Sequence, residues 1–240
     1  QLLQAYGMRT AIEAHRRAKP YCMGTMYWQL NDCWSSVSWS GIDYYGRWKA
    51  LQYFVKDAYK EILVSPVEEN DLVKVYIVSD KLYRSTGFLK LKLLDFSGNT
   101  LWQKDTNVSI PENSSKLYLE IDKTALLSGV NKDEIVFTAK LEIIEGAIYK
   151  NHIYFVLPKA LNIPEAGIIF DVKEEAKGIT LNIQSNRLIK NLYIHSDEDI
   201  FFSNNYFDVI PGEIETVYCE TSLKKEEFEN KLKYIYLNKK

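Results

Sequence analysis

The chain has 240 residues, with 30 Lys plus Arg against 32 Asp plus Glu, a net charge of −2. A composition of 46% apolar and 26% charged residues excludes a disordered tail, a collagen and a coiled coil. Near-neutral charge argues against nucleic acid or an anionic membrane as the main partner, and no apolar run reaches the roughly 20 residues that span a bilayer.

The chain opens Gln1-Leu2-Leu3-Gln4 without a methionine or a signal-peptide pattern, and reads as the middle of a longer protein. Over residues 1–19, Leu2, Ala5, Met8, Ile12 and Ala18 share an apolar side, which predicts a helix. Pro20 ends it, because the residue before a proline avoids the α region. Residues 22–30, Cys-Met-Gly-Thr-Met-Tyr-Trp-Gln-Leu, lack alternation and read as a short strand buried on both faces. A loop over 31–46 follows, with Gly41 and Gly46 as breakers. A second helix is expected over 47–62 from Trp48, Leu51, Phe54, Val55, Ala58 and Ile62. Helix, buried strand, long loop and helix fit an α/β barrel or a doubly wound sheet.

Val64–Asp71 is polar, contains Pro66 and reads as a linker. Beyond it the apolar period changes to two, at Val73/Val75/Ile77, Leu89/Leu91/Leu93 and Leu117/Leu119/Ile121. Residues 136–141 and 153–157 add strands, and Ser97-Gly98-Asn99 is a hairpin turn. Short strands without intervening helices predict a β-sandwich. Pro158 and Pro164 bracket a second break. Strands at 168–172, 179–183, 192–195, 201–202, 216–219 and 234–237, with a helical turn or two at 224–231, then form a second small sandwich. The domain boundaries expected are 1–65, 66–163 and 164–240.

Four of the five tryptophans, Trp28, Trp34, Trp39 and Trp48, fall between residues 28 and 48. In a barrel, ligands meet the C-terminal ends of the strands, which would put Trp28 and residues 31–34 at the mouth. An indole offers a flat apolar face with an N–H at its edge. The C–H face of a pyranose matches the ring, and Gln29, Asn31 and Asp32 could pair with its hydroxyls. Trp39 and Trp48 read as core fillers; Trp28 is open between core and platform.

Three stretches carry a family resemblance. They are Ala11-Ile-Glu-Ala-His-Arg-Arg-Ala-Lys-Pro20, Gly24-Thr-Met-Tyr-Trp-Gln-Leu-Asn-Asp-Cys-Trp34 and Ser38-Trp-Ser-Gly-Ile-Asp-Tyr-Tyr-Gly-Arg-Trp-Lys-Ala-Leu51. They resemble the end of the catalytic barrel of the β-mannosidases of glycoside hydrolase family 2, and 202–213 resembles their C-terminal domain. The resemblance implies an α+β multidomain fold: the last β/α unit of a (β/α)8 barrel followed by two immunoglobulin-like β-sandwiches. It implies a β-mannoside substrate, no cofactor, no metal and a periplasmic or secreted setting. It implies substrate-binding roles for Trp28, Gln29, Asn31, Asp32 and Trp34, with Trp28 as the floor where the bond is cut. Ser35 departs from the proline usual in the family.

Retaining glycosidases need two carboxyl groups about 5 Å apart. In the family both precede the final barrel strand, the acid following an asparagine, and this sequence has no Asn-Glu dipeptide. Of Glu13, Asp32, Asp43, Asp57 and Glu61, only Asp32 and Asp43 could reach the mouth, and neither is expected to be a nucleophile. The parent protein is therefore expected to hydrolyse terminal β-D-mannosides with retention, and this chain alone to be inert. Residues 1–60 alone are expected to pack imperfectly or to hide a face in self-association. The rivals are β-galactosidase or β-glucuronidase specificity, against which Trp-Gln-Leu-Asn-Asp-Cys-Trp argues, and a non-catalytic carbohydrate-binding module.

Weaker signals have plainer readings. Cys22, Cys33 and Cys219 are odd in number and lack metal spacing. His15, His152 and His195 are scattered, and Arg16-Arg17 read as helix surface. Asn107-Val-Ser109 and Asn113-Ser-Ser115 fit the glycosylation pattern, which matters only in a eukaryotic secretory protein. Trp102, Tyr118, Tyr206 and Phe207 are expected mostly in sandwich cores.

Overall fold

The computed structural model describes residues 1–237. It divides into two compact units, Gln1–Asp95 with Thr100–Leu161, and Phe96–Asn99 with the chain from Asn162 onward.

The first unit begins with two helices, α1 (Leu2–Arg17) and α2 (Ala50–Ala58). Ile12 of α1 packs with Leu51, Val55 and Ala58 of α2. His15, Arg16 and Arg17 occupy the last turn of α1, where cations complement the helix dipole. The strands are β1 (Ile62–Glu69), β2 (Leu72–Ser79), β3 (Ser85–Asp95), β4 (Thr100–Ile110), β5 (Ser114–Asp122), β6 (Ile135–Ile143) and β7 (Ile148–Ile153), with a one-turn helix α3 (Lys123–Leu126) before β6. Two antiparallel sheets, ordered β1-β2-β5 and β4-β3-β6-β7, face each other. The period-two residues of β2 and β3 meet Phe137, Ala139 and Leu141 of β6 in one core. Leu89 lies opposite Leu141, Leu91 opposite Ala139 and Leu93 opposite Phe137, the cross-strand pairing that stabilises a sheet face.

The helices are fused to this sandwich by buried polar bonds. Glu13 accepts from Arg9 Nε at 2.8 Å, Ser65 Oγ at 2.9 Å and Asn151 Nδ2 at 3.1 Å. Arg16 donates to Ala58 O at 2.6 Å and to Asp80 at 2.7 Å, and Lys19 reaches the other Asp80 oxygen at 2.5 Å. Burial lowers the Arg16 pKa, partly offset by Asp80.

The second unit holds β8 (Ile168–Glu175), β9 (Gly178–Ser185), β10 (Ile189–His195), β11 (Phe201–Phe202), β12 (Phe207–Val209), β13 (Glu215–Glu220), α4 (Lys225–Lys231) and β14 (Lys233–Leu237). Its sheets run β11-β13-β9-β8 and β12-β10-β14. Leu181, Ile183, Leu192, Ile194, Val209, Val217 and Phe228 make the core. Gly178 has φ 155°, and a Cβ there would stand 2.3 Å from the Cys219 carbonyl oxygen, so β9 can start beside β13 only without a side chain.

The stretch resembling the C-terminal domain acts as a staple on β10. Asn205 accepts from Ile194 N at 2.8 Å and donates to Ile194 O at 2.7 Å. Asp208 binds Lys190 Nζ at 2.9 and 3.1 Å and accepts from Asn191 N at 2.8 Å. The Lys190 and Asp208 side chains are 1% and 3% exposed.

Several expectations are corrected. No strand forms over 22–30; these residues lack a ladder on either side and many of their side chains are exposed. A strand is held by its neighbours, and here residues 31–48 offer only isolated bridges, Asn31 with Ile42 and Ile42 with Trp48. The second helix is shorter than expected, because Ile62 already belongs to β1. The linker expected over Val64–Asp71 is mostly β1, a sheet-edge strand, where Pro66 has no ladder bond to withhold. Its end is a two-residue turn in which Asn70 and Asp71 have φ 51° and 60°, the primed hairpin geometry these residue types tolerate. The strand expected at 153–157 lies earlier, as β7, and β12 was not expected. Arg16 and Arg17 are buried or half-buried rather than helix surface. Trp39, expected in the core, is 61% exposed, while Trp48 packs edge-on against Tyr53 with ring centroids 5.2 Å apart. Trp102 stacks on Phe137 at 6.2 Å, as a core residue should. No described helix is long and apolar enough to cross a membrane.

Candidate functional site

Residues 28–49 fold by lacing three short segments together. Gly41 N donates to Gln29 O at 3.0 Å, Ile42 N to Leu30 O at 2.8 Å, Asp32 N to Ile42 O at 3.0 Å and Lys49 N to Gly41 O at 2.9 Å. The segments are tied to the helices as well. Gln4 Nε2 donates to Trp39 O at 2.7 Å, Tyr27 OH to Gln52 Oε1 at 3.0 Å, and Tyr59 OH to Thr25 O at 2.8 Å. The Trp28–Gln29 peptide bond is cis.

On this frame the expected site residues separate into two groups. Trp28 and Trp34 are 75% and 68% exposed, so both indoles are open to solvent. Asn31 is exposed and Gln29 half-buried. Gln29 Nε2 donates to Asn31 O at 2.9 Å and Asn31 Nδ2 to Asp32 O at 3.2 Å, which leaves each amide oxygen for a ligand hydroxyl.

Asp32 differs. It is 7% exposed and its carboxylate turns inward. One oxygen accepts from the Ser38 hydroxyl and the other from Lys49 Nζ at 3.1 Å. Lys49 Nζ also donates to Ser40 Oγ at 2.7 Å. The Ser38 hydroxyl first, then Ser40 and Lys49, hold the Asp32 carboxyl below its ordinary pKa against the opposing effect of desolvation. Lys49, Ser38 and Ser40 were not anticipated from the sequence. Lys49 lies seventeen residues from Asp32, and no helical or strand period connects the two.

Asp43 closes the neighbouring turn. It accepts from Tyr45 N at 2.9 Å, Arg47 N at 3.0 Å and Arg47 Nε at 2.7 Å, and Gly46 sits at φ 82°. Thus Asp32, Asp43 and Glu13 are all committed to internal partners, and no two of these three stand free for acid and nucleophile work. Among the described residues no group of His, Cys, Asp and Glu could hold a metal ion. The arrangement can stack a flat apolar face and offer amides to hydroxyls; it does not itself supply the two carboxyls of glycoside cleavage.

Comparison with known proteins gives the context. Residues 71–160 match the Mannosidase Ig/CBM-like domain family and residues 163–239 an Ig-fold domain family of mannosidases. The chain is 31% identical over 236 residues to β-mannosidase A of Aspergillus flavus, covering 89% of this chain and 25% of that protein. It is 28% identical to the Aspergillus terreus enzyme over 238 residues, with the same coverage. The crystal structure of a β-D-mannosidase from Dictyoglomus thermophilum superposes with a TM-score of 0.90 at 30% identity, covering 99% of this chain and 29% of that one. The Amycolatopsis orientalis exo-chitosanase shares the fold alone, with a TM-score of 0.69 at 15% identity over 98% of this chain and 33% of that one. The chain spans about a quarter of the length of the curated relatives it matches.

Proposed function

We propose, from a chain that belongs with the β-mannosidases of glycoside hydrolase family 2, that the whole protein is a retaining exo-β-mannosidase acting on terminal β-D-mannosides. Residues 1–65 are then the last β/α unit of its (β/α)8 barrel, and 66–163 and 164–240 its two immunoglobulin-like sandwiches. The observation that carries this reading is the pair of exposed indoles, Trp28 and Trp34, beside Asn31 and Gln29 on a frame anchored by buried Asp32. These side chains lie in the stretch that resembles the barrel end.

In this reading Trp28 stacks on the C–H face of the mannosyl ring, an arrangement that fixes the ring plane and excludes water from one side. The amides of Gln29 and Asn31 orient hydroxyls, and Trp34 walls the subsite. Asp32 supports the site from beneath. The acid and the nucleophile come from other barrel strands. Binding is thereby separated from bond cleavage: this segment sets the ring's position, and a displacement of about 1 Å can cost roughly a hundredfold in rate.

The test is turnover of an aryl β-D-mannoside by the full-length protein. Retention of configuration is expected, with no turnover by residues 1–240 alone. Trp28→Ala should lower kcat/KM by about two orders of magnitude or more and leave thermal stability nearly unchanged, since the indole is exposed. A full-length protein that cleaves β-galactosides or β-glucuronides in preference would overturn the substrate assignment. Micromolar β-mannobiose binding by the isolated chain would favour a carbohydrate-binding module instead. The isolated chain is also expected to self-associate through its exposed tryptophans; a monomer by sedimentation at micromolar concentration would refute that.

A further inference from the structure

We propose that Lys49 is a positioning residue of the sugar site, acting through Asp32 as a charged clasp beneath Asn31 and the tryptophans; this rests on the glycosidase reading above. Asp32 was expected to meet the sugar, but both its oxygens are occupied from inside the protein, by Ser38 and Lys49. Lys49 in turn holds Ser40, whose backbone N–H donates to Ser38 Oγ at 3.1 Å. The lysine side chain is 15% exposed and the carboxylate 3%. Two points on one loop, Asp32 and Ser40, are thus drawn to a single ammonium group, and Ser38 bridges them.

The geometry explains what the clasp controls. Asp32 N donates to Ile42 O, Ile42 N to Leu30 O and Gly41 N to Gln29 O. Residues 29–32 are therefore registered against 41–42 by backbone bonds, and the clasp adds side-chain bonds from Asp32 to the residues flanking 41–42, Ser38 and Lys49, with Ser40 held by Lys49. Trp28, Gln29 and Asn31 all hang from that register. With Lys49 neutralised, a buried carboxylate would lose its counter-charge and turn toward water, carrying Asn31 with it.

The experiment compares Lys49→Met, Lys49→Arg and Trp28→Ala with wild type in the full-length protein. Lys49→Met should lower kcat for an aryl β-D-mannoside about 10- to 100-fold, the scale of loss known for partners that orient metal ligands. Lys49→Arg, which keeps the cation, should recover most of it. Hydrogen exchange at the amides of Asp32 and Ile42 should quicken in Lys49→Met and stay slow in Lys49→Arg. A Lys49→Met enzyme with wild-type kcat beside an impaired Trp28→Ala enzyme would overturn the clasp and leave the mannosidase reading intact. Absence of turnover in wild type would instead overturn that reading. Unchanged exchange in Lys49→Met refutes the clasp in either case.

Discussion

Lys190→Met is the sharpest test of the second unit. The substitution keeps side-chain volume but removes the ammonium that meets Asp208 at 2.9 and 3.1 Å. Both side chains are almost wholly buried. The carboxylate keeps the Asn191 amide at 2.8 Å, yet a neutral amide brings no counter-charge to a buried anion. Breaking such a pair from one side costs about 3–5 kcal/mol. In a unit of this size each kcal/mol moves Tm by roughly 4–8 °C. The variant's second unit should therefore melt at least about 12 °C early. Differential scanning calorimetry of the whole chain reads this, as an early transition separate from that of the first unit. The Lys190→Met/Asp208→Leu double variant should recover much of the loss, because an apolar pair of similar volume carries no stranded charge. A single variant that loses less than about 1 kcal/mol would show that water reaches the pair, a cost fit for a surface bridge, and would refute the buried geometry.

Three further outcomes follow from the same structure. Trp102→Ala should cost the first unit about 2–4 kcal/mol, at the low end of aromatic truncations because the indole is half-buried, while activity of the folded full-length protein is unchanged; urea melts and kinetics check both. Glu142 lies between Lys140 at 2.9 Å and Lys90 at 2.8 Å, and these bonds lower its pKa from 4.5 to about 2. Its folded pKa being depressed, its contribution is present above pH 4.5 and lost as pH falls toward about 2; with solvent screening it amounts to no more than about 1 kcal/mol. An NMR titration placing Glu142 near 4.5 would contradict the bridges. Burial pushes the Cys219 thiol up to about 12, so an aromatic disulfide reagent should label exposed Cys33 in the native chain and Cys219 only after unfolding.

Legibility in the sequence followed the range of the forces involved. Helix α1 was readable because its apolar side and Pro20 lie within one segment. β2, β3 and β5 were readable because alternation is local, and the Ser97–Asn99 turn because glycine marks it. β1 was misread because Pro66 and its acidic neighbours mimic a linker; only edge position in the sheet makes the proline harmless. Residues 22–30 were misread because a buried-strand pattern counts only when neighbours supply the ladder. The site divided along the same line. Trp28, Trp34, Gln29 and Asn31 stood out by type and clustering, and the structure leaves the two indoles and Asn31 exposed. The inward turn of Asp32 was invisible, since its partners Ser38, Ser40 and Lys49 come together only through the fold of the loop. Glu13 likewise reads in the sequence as unable to reach the mouth, and nothing in its neighbours announces the bonds from Ser65 and Asn151.

Asn205 carries a consequence beyond its bonds to Ile194. Its side-chain amide meets the N–H and C=O of one residue, Ile194, as a neighbouring strand's backbone would. A side chain that imitates a peptide group must own one donor and one acceptor at peptide-like spacing. Aspartate, nearly identical in shape, owns two acceptors and would set a lone pair against the Ile194 carbonyl. Glutamine carries the right groups one methylene too far out. The position is therefore chemically narrow though it touches no substrate: slow hydrolysis of that single amide to a carboxylate would age the domain from within, without changing its length, its shape or any apolar contact.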